Sequence, residues 1–137
     1  MGGLVAAAPA VALPAPPAGA QAVDWDHFGE PSLSAARRAD AAVTRSLKAS
    51  APDVDTQLYR LPGDVDWDQV LRHYRQGAGN GWKALAGADR VETGNPARQQ
   101  RFAAVQDERQ GFAVVWLPPA GEVRDGLLMV LTTAPAR

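Results

Sequence analysis

Two stretches near the C-terminus place the strongest constraint on the fold, because each is apolar almost without interruption. They are Phe112–Leu117 (FAVVWL) and Leu127–Thr132 (LLMVLT). A half-solvated antiparallel strand alternates apolar and polar residues, since successive side chains point to opposite faces of the sheet. These two stretches do not alternate. The sequence therefore predicts two central strands that need cover on both faces.

Two helical segments are available to supply that cover. The first runs from Ser32 to about Ser50 and has a narrow, Ala-rich apolar stripe. The second begins after Asp66, which forms a capping-box pattern with Gln69. Its apolar residues recur at helical spacing, at Trp67, Val70, Leu71 and Tyr74. The glycine-rich run Gly77–Gly81 is typical of a helix C-terminus.

Shorter strands are predicted over Thr56–Leu61, Arg90–Thr93 and Gln100–Gln106, each next to a turn or a polar loop. The predicted order is an N-terminal helix, then a strand and a helix, then an antiparallel β-meander. We expect the meander to pack on the helices. The fold class is therefore α+β.

The first 22 residues differ from the rest, because they carry no charged side chain and are rich in Ala and Pro. An apolar stretch followed by Ala20-Gln21-Ala22 is typical of a secretory signal with a small-x-small cleavage site. The alternative is a disordered Ala/Pro-rich lead. We therefore divide the chain into a signal-like or disordered segment, 1–22, and one α+β domain, 23–137. This division predicts a periplasmic or secreted bacterial protein.

The central strands lead to the first functional hypothesis, a non-enzymatic cell-envelope module that acts by protein–protein contact or self-association. If both helices cover the same face of the sheet, an apolar face stays open for a partner. If they cover opposite faces, the sheet is closed and this inference fails. An edge strand offers a second docking route, by strand addition. The expected partner-binding residues are Phe112, Val114, Trp116, Leu127, Met129 and Leu131, with Trp25 as an anchor at the rim.

The second hypothesis is a small-ligand or glycan-binding domain. Trp82 follows the glycine-rich turn Gly77–Gly81, and a tryptophan ring can stack on a sugar. Arg72 and Arg75 lie on the preceding helix, where they could contact an anionic group. A concave pocket that unites these residues would favour this hypothesis.

Other function classes receive little support from the composition. The chain has 137 residues, a formal charge of -1 and no cysteine, so it lacks a global basic field for nucleic acid and has no thiolate ligands. No uninterrupted apolar stretch is long enough to cross a bilayer. We expect no cofactor and no metal. A hydrolase that uses His73 would need an Asp or Glu within hydrogen-bond reach.

Overall fold

The computed structural model describes residues 13–30, 32–48, 54–85, 90–92, 96–107, 109–119 and 124–133. Residues 1–12, the larger part of the signal-like segment, lie outside the described residues. The described chain contains two α-helices, α1 (Ser32–Lys48) and α2 (Trp67–Ala78), and seven strands. The strands are β1 (Gln21–Val23), β2 (Val54–Leu61), β3 (Trp82–Ala84), β4 (Arg90–Glu92), β5 (Pro96–Ala104), β6 (Gly111–Leu117) and β7 (Gly126–Thr133).

The strands form one sheet in the order β1-β2-β7-β6-β5-β3, and β4 also pairs with β5. Every pairing is antiparallel. The two unbroken apolar stretches form β6 and β7, which lie in the interior of the sheet. The prediction of an α+β fold with a meander-like antiparallel sheet is therefore confirmed.

Helix α2 forms as its sequence predicts. The Asp66 carboxylate accepts a hydrogen bond from the Gln69 backbone N–H, and the Gln69 side chain accepts one from the Asp66 N–H, both at 2.9 Å. The helix stops at Gly79, whose φ of +54° favours glycine. The capping box and the glycine stop are both confirmed.

One face of the sheet packs against α1. Three alanines of that helix, Ala35, Ala36 and Ala39, are almost fully buried, so the helix backbone lies close to the sheet. They belong to one apolar cluster with Val115 of β6 and Met129 of β7, which are both 0% exposed. Small helical residues leave room for these larger side chains of the sheet.

The opposite face packs against α2 and is rich in aromatic side chains. Phe112 lies at its centre and is 0% exposed. Its ring stacks on Phe102 at a centroid distance of 4.7 Å and meets Trp82 edge-on at 4.8 Å. Both aromatic arrangements are favourable beyond the area they bury. Trp67 and Tyr74 bring the helix into the same cluster.

The expectation of an open apolar face is corrected by this arrangement, because the two helices cover opposite faces. The cross-strand register also divides the expected docking residues between the faces. Phe112, Val114 and Trp116 lie on the α2 side, whereas Leu127, Met129 and Leu131 lie on the α1 side. All six are buried except Trp116, which is half-buried. The sheet therefore carries no apolar docking face built from these residues.

Candidate functional site

Among the described residues, the outer edge of β2 is paired over only part of its length. On its inner side, all eight residues of β2 pair with β7. On its outer side, β1 pairs only with Leu58, Tyr59 and Arg60. The backbone of residues 54–57 has no strand beside it among the described residues. In an antiparallel strand, alternate residues direct their N–H and C=O groups to that side, so about two of these four residues present groups that no described strand pairs.

The N-terminal strap, defined as residues 13–23, lies against this edge and against α2. Its last three residues form β1. The Arg60 guanidinium donates one hydrogen bond to the Gln21 side-chain oxygen at 2.6 Å and one to the Asp125 carboxylate at 3.2 Å. Arg60 therefore ties the strap to the loop that precedes β7.

The strap also contacts α2 at two points. The Nε2 atom of His73 lies 2.7 Å from the Ala15 carbonyl oxygen, so its N–H donates to that carbonyl. Gly77 faces Pro14 so closely that a Cβ atom on the glycine would lie 2.9 Å from Pro14 Cβ. Residues 13–22, which the sequence assigns to a signal-like or disordered segment, are thus packed on the domain.

The opposite edge of the sheet is divided. Two strands of three residues each, β3 and β4, pair with separate parts of β5. Short edge strands are a common means of preventing strand addition. Leu85 and Val105 are exposed near the two ends of β3. Single exposed apolar side chains of this kind are normal on protein surfaces.

Trp25, the expected rim anchor, is half-buried in a 3-10 turn, Trp25–His27, that follows β1. The Arg37 guanidinium carbon lies 4.5 Å from the centroid of its ring, at cation–π distance. Trp25 also packs against the α1-side cluster, which includes buried Phe28. The chain therefore crosses from the α2 side of the sheet to the α1 side around the β2 edge.

The residues expected to bind a small ligand separate into two groups. Arg72 and Arg75 are exposed on α2, where they line a hollow of about 450 Å³ with Asp68, Leu71 and Gln76. Trp82 does not line this hollow, because its ring is 6% exposed and packs against Phe112. The expected stacking platform is thus part of the core, and only the two arginines remain accessible.

The part of the chain that the structure describes offers His73 no carboxylate partner for general-base catalysis. Its Nε2 atom faces the Ala15 carbonyl. Among the described residues, no Asp or Glu lies within hydrogen-bond distance of its ring. The observed role of His73 is to hold the strap.

The described part of the chain holds no group of three or more His, Cys, Asp or Glu residues arranged to bind a metal ion. Neither of its helices combines the length and the apolar character of a membrane span. Comparison with protein-family models, with curated proteins and with solved structures finds no match to this chain.

The strap is the element of this candidate site that the sequence analysis missed. Its three-residue strand, Gln-Ala-Val, has almost no strand signal of its own. One signal was present in α2, where Gly77 precedes the glycine that ends the helix. A glycine inside a helix costs stability, so its presence indicates a close approach by another segment.

Proposed function

We propose that this chain is an exported, non-enzymatic module of the bacterial cell envelope that acts by protein–protein contact. In this proposal, an extended segment of a partner adds to the outer edge of β2. The observation that carries it is the unequal pairing of β2, whose eight residues all pair with β7 but only three with β1. The uncharged, Ala-rich residues 1–22 support the proposal of export. In this proposal the segment is retained and is not cleaved at Ala20-Gln21-Ala22, because residues 13–22 form most of the strap.

Strand addition suits this edge because it needs backbone groups rather than an apolar face. Main-chain hydrogen bonds supply the affinity, and the alternating side chains supply the specificity. At the open part of the edge, Asp55 and Gln57 are exposed, so a partner meets polar side chains there. Between them, the Thr56 hydroxyl donates a 2.6 Å hydrogen bond to the Asp40 carboxylate of α1. The free strand end is thus fixed in place before a partner arrives.

A second candidate function is the binding of a small anionic ligand in the hollow on α2. The observation that favours it is that Arg72 and Arg75 line the same concavity, with Leu71 as its apolar part. Two guanidinium groups can bind a carboxylate or a phosphate through charge-assisted hydrogen bonds. This candidate makes no use of Trp82, and it places the ligand on the outer surface of α2.

Selection of binding peptides from a random library on the immobilised full chain tests the two candidates together. Hydrogen exchange measured with each selected peptide bound reports which amides it protects. Strand addition predicts protection at residues 54–57. Protection confined to residues 68–76 would favour the hollow on α2, and a failure to protect residues 54–57 would contradict strand addition.

A matched pair of substitutions completes this test. Gln57→Lys puts a charged ammonium group on the open edge. Because this group must lose bound water when another strand covers the edge, we expect about tenfold weaker peptide binding. Gln106→Lys makes the same change at an exposed position beyond β5, near the opposite edge, and we expect no effect. Equal affinities of the two variants would contradict docking at β2.

A further inference from the structure

The strap occupies part of the surface that the proposed function assigns to a partner. Through β1 it pairs with residues 58–60 of β2, which continue the open edge at residues 54–57. A partner strand that stops at the open part meets about two outward-facing residues, whereas one that replaces β1 meets about twice as many. Strong docking at this edge therefore requires the strap to leave.

A tight turn in the strap directs it from the edge towards α2. The Ala20 N–H donates to the Pro17 carbonyl at 3.1 Å, and Gly19 has a φ of +86°. A Cβ atom on Gly19 would lie 3.2 Å from Pro62 Cγ. The positive φ favours glycine here, and the close contact leaves little room for a Cβ atom. The turn is thus a point where one substitution can loosen the strap without altering the surface beneath it.

The surface beneath the strap fits a segment with small residues and prolines. At its α2 end, Gly77 admits Pro14, and the His73 N–H meets a backbone carbonyl. In the middle, Ala20 packs on the aromatic cluster of the α2 face. At the β2 end, Arg60 donates to a side-chain amide. Apart from that amide, these contacts recognise an extended backbone and small apolar groups.

We propose that the strap is a built-in competitor for the docking edge, and that the natural partner supplies an extended Ala/Pro-rich segment that replaces it. This inference rests on the proposed function. The strap holds the edge while no partner is present, and its strand pairing with β2 extends over only three residues. The apparent association constant for a partner then equals the intrinsic association constant multiplied by the fraction of molecules whose strap is released.

The experiment uses the full chain and a labelled peptide that copies residues 13–23, LPAPPAGAQAV. In the Gly19→Val chain, a β-branched residue at positive φ weakens the strap in its own molecule, while the peptide keeps its glycine. We expect the peptide to bind this variant about tenfold more tightly than the parent chain. Fluorescence anisotropy measures the affinity, and circular dichroism checks that each chain is folded.

Gly29→Val is the matched control. Gly29 does not have a positive φ, and a Cβ atom on it would meet nothing within 4 Å. We expect this variant to bind the peptide as the parent does. Equal affinity for the parent and for Gly19→Val would overturn the inference, and so would an equal gain in Gly29→Val.

A second variant tests the α2 end of the surface. Gly77→Ala, made in the Gly19→Val chain, introduces a Cβ atom where Pro14 must lie, so we expect about tenfold weaker peptide binding. Alanine favours the helix, so this loss would not arise from unfolding of α2. Unchanged binding would overturn the assignment of Gly77 to the site.

Failure of this inference differs from failure of the proposed function. If library peptides protect residues 54–57 equally well in the parent and in Gly19→Val, the edge docks partners and the strap does not compete. If no library peptide protects those residues in either chain, docking at β2 is wrong. Tighter binding of the strap peptide to Gly19→Val would then show only that the strap of one molecule can bind to another molecule of this chain.

Discussion

The faces of the sheet and the outer edge of β2 differ in how far the chain completes them. Phe112 on one face and Met129 on the other are each 0% exposed, because each face has a helix of its own. At the edge, β1 covers three residues of an eight-residue strand. Within the described parts of the chain, apolar burial is thus completed, whereas backbone pairing at β2 is not.

This difference indicates the kind of association that the molecule can support. An apolar docking face would gain its affinity from buried area. The β2 edge would gain it from main-chain hydrogen bonds, which need an extended partner in register. Substitutions in the faces should therefore change folding stability strongly, and substitutions at the edge should change mainly binding.

The largest expected effect is on the faces. Phe112→Ala should lower the free energy of unfolding by about 3–5 kcal/mol and Met129→Ala by about 2–5 kcal/mol, since each leaves a cavity in a dry cluster. Urea unfolding followed by tryptophan fluorescence measures both. A loss below about 1 kcal/mol for either variant would mean that its face is not closed.

A smaller effect is expected at Tyr74, whose buried hydroxyl has no hydrogen-bond partner among the residues that the structure describes. Burial, and to a smaller extent Tyr59, raise the pKa of Tyr74 above its ordinary value of 10.0. Tyr74→Phe should be neutral or stabilising by about 1 kcal/mol at pH 7, because it removes an unsatisfied polar group. A loss above about 1 kcal/mol would show that the hydroxyl has a partner.

The same residue gives a pH dependence. The folded state holds Tyr74 neutral, so its contribution to stability is complete below pH 10.0, the unfolded value, and is lost as the pH rises through the higher folded pKa. The parent chain should therefore lose stability above about pH 10 more steeply than Tyr74→Phe. Urea unfolding of both chains at pH 7 and pH 11 measures this, and identical pH dependence would contradict burial of the phenol.

The smallest effect on stability is expected at the edge. Gln57→Lys and Gln106→Lys should each change the free energy of unfolding by about 0.5 kcal/mol or less, because both side chains are exposed. Urea unfolding at pH 7 is again the measurement. A large loss of unfolding free energy in Gln57→Lys alone would mean that this edge supports the fold. Weaker peptide binding by that variant would then not be evidence for docking at the edge.

The central strands and α2 could be predicted from sequence because their signals are local. An unbroken apolar run identifies β6 and β7, and the Asp66–Gln69 capping box fixes the start of α2. The face that each helix covers could not be predicted in this way. The Ala-rich stripe of α1 fits a close approach to either face, and only the chain path between the elements decides which one.

The position of the strap and the burial of Trp82 could not be predicted from the sequence for a similar reason. The strand β1 exists because β2 offers it an edge, not because Gln21–Val23 favour an extended conformation. Trp82 follows a glycine-rich turn, as a ligand platform would, but β3 directs it into the aromatic cluster. Arg72 and Arg75 could be assigned correctly to the surface of α2, since they lie off its apolar stripe.

Amide hydrogen exchange of the full chain, without any partner, tests the central claim most directly. We predict the slowest exchange in β6 and β7, intermediate exchange at residues 58–60, and fast exchange at alternate residues of 54–57, whose N–H groups point to the open side. Protection of every amide from 54 to 57 at the level of β7 would contradict an open edge. Fast exchange throughout β6 and β7 would contradict closed faces.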